Sequence, residues 1–197
     1  MNMEGGNKMD IADLLKGQLN HSMLNQLGQS TDASPSKVKK LVNLGMPALL
    51  QAMQRNASST DGADALAKAL DQHKEDPVDD ISDFLKHVDT SDGSKILEHV
   101  FTSKNERVQK NLAKKTGLGQ DQVGGLLTQL APLVMGVLGK QKIEQGLDAK
   151  GVSGLLNQVL GQTGSSGLIR QATKILDTDK DGSIVDDVQK FLGKFLK

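Results

Sequence analysis

"QVGGLLTQLAPLVMGVLG", residues 122–139, carries no charged side chain, and how it is read decides the fold. As a membrane span it barely reaches the roughly 18–20 apolar residues needed to cross a bilayer. Gln122, Thr128 and Gln129 interrupt it, and Gly124 and Gly125 stand near its start. As the core helix of a globular protein, the same stretch needs apolar partners from the rest of the chain on every side. The second reading is the better one, and an internal repeat supports it.

A shift of 85 positions lays "LGQSTDASPSKVKKLVNLGMPALLQAMQR" (27–55) over "LAKKTGLGQDQVGGLLTQLAPLVMGVLGK" (112–140). Leu27 then meets Leu112, Thr31 meets Thr116, Val38 meets Val123, Leu41 meets Leu126 and Pro47 meets Pro132. The later parts align at a slightly larger offset, "VDTSDGSKILEHVF" over "LDTDKDGSIVDDVQKF", with Asp92-Gly93-Ser94 against Asp181-Gly182-Ser183. The division read from this is an N-terminal segment and added helix (1–19), one helical unit (20–101) and a second (102–197). In the first copy the apolar helix carries Lys37, Lys39 and Lys40, which argues against lipid at the matching positions.

Composition agrees with helices. The chain of 197 residues has no Trp, Tyr or Cys and only four Phe, so its core must come from Leu, Val, Ile, Met and Ala. Such side chains suit helix packing better than a sandwich, and no stretch sustains strict alternation. The expected fold is all-α, a helical bundle of two related units in tandem. Helix starts are read at Ser34-Pro35, at Asp76-Pro77 and at the Ser103/Glu106 capping box. Pro47 and Pro132 are expected to kink or divide their helices. "GQTGSSG" (161–167) reads as a flexible connection. The 24 basic and 24 acidic residues balance, unlike a dedicated nucleic-acid binder. Absence of Cys excludes disulfides and thiolate chemistry. The polar start "MNMEGGNKMD" lacks the pattern of a signal peptide.

"LDTDKDGSIVDDV" (176–188) is the candidate metal site. Counted from Asp177, the acids Asp177, Asp179 and Asp181 followed by Gly182 match the first half of a calcium loop of the EF-hand type. Ser183 would offer its carbonyl. Position 12 is Val188, which has no oxygen to give, so Asp186 or Asp187 would have to close the shell. Clustered carboxylates with oxygen-only donors favour calcium over magnesium, at a weak affinity on the order of 10⁻⁵ to 10⁻³ M. The bland alternative is a turn in which Asp-Gly reverses the chain and Ser183 with Asp186 starts a helix. In the first copy, Asp89, Asp92, Gly93 and Ser94 keep that turn and lose the alternating acids.

Other chemistry is sparse. His21, His73, His87 and His99 read as surface or half-buried imidazoles, and no phosphate loop, dinucleotide fingerprint or nucleophile elbow occurs. Lys104, Arg107, Lys110, Lys114 and Lys115 share one expected helix that reaches phosphates if the protein binds nucleic acid. The acids Glu75, Asp76, Asp79, Asp80 and Asp83 read as caps and solvated charge.

The ordered pieces "DGSKILEHVF", "LAPLVMGVLGKQK" and "LDTDKDGSIVDDV" resemble the bacterial family known as domain of unknown function 937, which is related to YidB-like, homeodomain-like helical proteins. The resemblance implies an all-helical fold and a bacterial cytoplasmic setting; it implies no activity. The sequence therefore reads as a non-catalytic interaction protein with a weak calcium loop, meeting a protein partner or another copy of itself and no membrane. The alternative is a homeodomain-like nucleic-acid module using residues 104–115.

Overall fold

The two stretches aligned at 85 positions become the two longest helices. The computed structural model describes residues 21–162 and 166–177. In chain order the elements are α1 (His21–Gln29), α2 (Pro35–Asn56), α3 (Thr60–Gln72), α4 (Ile81–His87) and α5 (Thr90–Phe101). A 3-10 turn (Thr102–Lys104) leads to α6 (Asn105–Thr116), α7 (Gln120–Glu144), α8 (Ala149–Gln162) and α9 (Ser166–Leu176). No strand occurs among the described residues, and the fold is all-α.

One hydrophobic cluster runs from Leu24 to Leu176 through every α-helix, so the two halves share a core. Helix α7 begins at Gln120, 85 positions after Pro35 of α2, and α8 begins at Ala149, 89 positions after Thr60 of α3. Helix α1 packs on α2 as α6 packs on α7, and α3 crosses α7 as α8 crosses α2. Matching ties hold the flanks. Gln26 donates to the Ser82 carbonyl at 2.6 Å, joining α1 to α4. Asn111, 85 positions later, donates to the Ile175 carbonyl at 3.1 Å, joining α6 to α9. A tandem duplication would produce this arrangement.

The surface of α7 is taken by protein: 78% of its most apolar window is buried. Helix α5 lies along one side of it, while α9 covers α2. Its polar interruptions have partners. Gln129, buried, donates to Ser30 Oγ at 2.8 Å and to the Gly125 carbonyl at 2.9 Å. Gln122 donates to the carbonyls of Thr31 (2.9 Å) and Asp32 (3.0 Å), pinning the α1–α2 turn, in which Asp32 has φ 51°. The charged tail of α7 pairs Lys140 with Asp79 and Lys142 with Asp71.

Several local expectations change. Pro47 and Pro132 do not divide their helices, which run through both positions. Each removes one backbone donor, and the buried neighbours Leu49, Leu50, Leu133 and Val134 hold the helix together. Ser34 precedes Pro35 in extended geometry, but its hydroxyl meets Ser36 Oγ rather than capping. The helix expected from Asp76-Pro77 starts at Ile81, because the Asp76 carboxylate is engaged by His73 and Asp80 makes the cap to Asp83 N. No Ser103 capping box forms, since the 3-10 turn runs directly into α6. The glycine-rich connection shrinks: α8 extends to Gln162 and α9 begins at Ser166. The helix expected within 1–19 lies outside the described residues.

The largest change is at Asp92-Gly93, which is no turn. Asp89 caps α5, its Oδ1 accepting from Ser91 N (2.8 Å) and Asp92 N (3.2 Å), so Asp92 and Gly93 are helical. Gly93 is there for packing: a Cβ at this position would stand 1.9 Å from the Thr128 carbonyl oxygen of α7.

Candidate functional site

Helices α3 and α5 run beside each other without filling the space between them. The reason is local sequence. Beside its buried face of Ala63, Ala67 and Leu70, α3 turns Gly62, Ala65, Leu66 and Ala69 to this space, mostly too short to reach α5. Opposite stand Ile96 and Val100, and the floor is Met53 of α2 with Met135 of α7, both buried. The result is a groove of about 600 Å³, largely apolar, within the roughly 300–1,000 Å³ of small-molecule sites.

Both walls are fixed at their ends. Ser59 caps α3 by accepting from Gly62 N at 3.2 Å. Asn56, the last residue of α2, donates to the carbonyls of His99 (3.2 Å) and Val100 (3.1 Å), satisfying acceptors that the end of α5 leaves open. At the mouth are Lys68 from α3 and Lys95 and His99 from α5, all exposed. Neither lysine has an acidic partner within 4.0 Å among the described residues. His99 Nδ1 donates to the Lys95 carbonyl at 2.8 Å.

A ridge of Gln72, His73, Asp92 and Lys95 separates this groove from a second cavity of about 560 Å³. His73 is its centre, with 13% of its side chain exposed. Its Nδ1 lies 2.9 Å from Asp76 Oδ2 and its Nε2 lies 3.6 Å from Asp92 Oδ2. The second cavity is acidic, lined by Asp76, Asp83, Asp89 and Asp92 around Phe84 and His87. His87 is exposed, its Nδ1 3.1 Å from the Asp83 carbonyl, which accepts from it. No group of three His, Cys, Asp or Glu among the described residues is placed to hold a metal ion.

Of the acidic-loop residues, Asp177 is described: it follows α9, half-buried, its N–H donating to the Thr173 carbonyl at 2.8 Å. Asp179, Asp181, Ser183, Asp186 and Asp187 lie outside the described residues. On α6, Arg107, Lys110, Lys114 and Lys115 are exposed, and Lys37 of α2 lies against Gly117 at its end. Helix α7, which follows α6 after a short turn, is buried over most of its length, with Asp121 exposed in its first turn.

Sequence reasoning did not find the groove or its lysines. The signal was the run of small residues in "GADALAKAL" (62–70), at helical spacing on one face. His73 and Asp76 stand three apart across the turn that follows α3, where Asp76 N donates to the His73 carbonyl at 3.1 Å. Asp92 reaches His73 only through tertiary packing.

A family model described as a bacterial protein of unknown function, DUF937, matches residues 13–141. That span ends within α7, before α8, α9 and the acidic stretch. No curated protein and no solved structure matches the chain.

Proposed function

The chain belongs to the DUF937 family, and from that premise we propose that it is a non-catalytic helical protein that works by binding, with the α3–α5 groove as its contact site. The observation that supports this most directly is a largely apolar groove of about 600 Å³ left open between α3 and α5. His73, the imidazole beside it, faces carboxylates through both ring nitrogens and ties the ridge together. The test uses Nile red, a neutral apolar dye. The full chain should bind it with a blue-shifted rise in emission, and Ala69→Phe, which fills the groove from the α3 wall, should suppress the signal several-fold. Equal binding by both proteins removes the groove from the reading.

A weak calcium site formed by Asp177, Asp179, Asp181, Ser183 and one of Asp186 or Asp187 belongs to the same proposal. Its support is the alternation of acids ahead of Gly182; the capping role of Asp89 in the first copy is the competing explanation. Calcium at about 100 times its dissociation constant adds about 2.7 kcal/mol to the folded state. For a chain of this size that raises Tm by about 5–10 °C. Asp181→Asn should abolish the rise, and a wild type whose Tm ignores millimolar calcium ends the idea.

A second reading, contact with nucleic-acid phosphates along α6, is favoured by the exposure of Arg107, Lys110, Lys114 and Lys115 without acidic partners within 4.0 Å among the described residues. It requires duplex binding that weakens steeply with salt and is indifferent to sequence. No retention of DNA at low salt excludes it.

A further inference from the structure

We propose that the groove between α3 and α5 takes an anionic amphiphile: a single unbranched acyl chain lies on the methionine floor and its carboxylate is held at the mouth by Lys68 and Lys95. The inference rests on the groove reading above and adds the chemistry of the occupant.

Shape gives the first part. The walls are Leu66, Ala69, Ile96 and Val100 over Met53 and Met135. Methionine is unbranched and adaptable, so such a floor fits a flexible chain better than a rigid ring. Polar residues line the groove as well, and several are engaged within the protein: Asn56 donates to the carbonyls of α5, His99 donates to the Lys95 carbonyl, and His73 faces Asp76 and Asp92.

Charge gives the second part. Lys68 and Lys95 come from opposite walls, both exposed, and neither has an acidic partner within 4.0 Å among the described residues. Asp92, the carboxylate that lines both the groove and the acidic cavity, stands 3.6 Å from His73 Nε2. Negative charge is concentrated across that ridge, where Asp76, Asp83 and Asp89 line the acidic cavity with Asp92, while Lys68 lines the groove and Lys95 borders both. A cationic head is therefore drawn away from the groove mouth, and an anionic head is held at it. Exposed pairs of this kind are individually weak, so the chain supplies most of the affinity and the lysines supply the preference.

The experiment displaces Nile red from the full chain with dodecanoate, dodecanol and dodecyltrimethylammonium, each below its micelle concentration. Dodecanoate should displace the dye at the lowest concentration. Lys68→Ala and Lys95→Ala should each weaken dodecanoate by about two- to fivefold and leave dodecanol unchanged. Lengthening the acid from ten to twelve carbons should tighten binding by up to about fourfold per buried methylene. Both lysines are exposed, so these variants should fold; circular dichroism checks this. Equal displacement by the cationic amphiphile, or unchanged dodecanoate affinity in both variants, overturns the head-group assignment and leaves the groove standing. Failure of the wild type to bind Nile red at all overturns the groove and the amphiphile together. Nile red binding that falls as protein concentration rises assigns the groove to a second copy of the chain, and the amphiphile is again overturned.

Discussion

Gly93→Ala sets intrinsic helix propensity against tertiary packing, and the two predict opposite signs. Position 93 is inside α5, where alanine is preferred over glycine by about 1 kcal/mol. On propensity alone the substitution stabilises. The added Cβ, however, would lie 1.9 Å from the Thr128 oxygen and 2.7 Å from its carbonyl carbon. Both atoms are backbone of α7, the most enclosed helix, and cannot swing aside. The helices must part by about 1 Å, and a gap of that order forfeits roughly a quarter or more of the local dispersion energy. Helix α5 buries Ile96, Leu97, Val100 and Phe101. At about 1.5–3 kcal/mol each, these contribute about 6–12 kcal/mol, of which a quarter is about 1.5–3 kcal/mol. After the propensity gain, the net loss is about 0.5–2 kcal/mol. Urea unfolding followed by circular dichroism at 222 nm should show a lower midpoint with an unchanged slope. Gly154→Ala is the control. It is exposed in α8, nothing lies within 4 Å of its added Cβ, and it should gain up to about 1 kcal/mol. A Gly93→Ala protein as stable as the wild type would refute the close approach of α5 to α7.

Other substitutions probe the remaining joints by the same assay. Leu49→Ala, at a fully buried position of α2, should cost about 2–5 kcal/mol, whereas Ile143→Ala, 48% exposed at the end of α7, should stay within about 0.5 kcal/mol. Asn56→Ala leaves two carbonyls at the end of α5 without their donor and should cost about 1 kcal/mol, with faster hydrogen exchange confined to the last turn of α5 and the 3-10 turn. Gln129→Leu removes the buried link to Ser30 and should cost about 1 kcal/mol; if stability is unaffected, the Gln129–Ser30 bond does not hold the α1–α2 turn, and Gln122 alone ties it to α7.

The helical class and the aligned positions of α2 and α7 were legible in the chain itself. Apolar residues at three- and four-residue spacing, and a pattern recurring after 85 positions, are local properties of covalent order. The same is true of the core character of residues 122–139: a stretch that is apolar on every side but too short and too interrupted for a bilayer belongs inside a protein. Helix starts were less legible, because a cap is a competition. Asp76 lost its helix to Asp80 once His73 engaged its carboxylate, and Asp92-Gly93 became helix once Asp89 supplied the cap one turn earlier. Only the tertiary structure decided that Gly93 serves contact rather than a turn, that Asp92 meets His73, and that the short side chains of α3 leave a groove with Lys68 and Lys95 at its mouth. Each of these depends on distances between helices far apart in the chain. Such distances are set by the volumes of all the side chains that share the core, which no local pattern encodes.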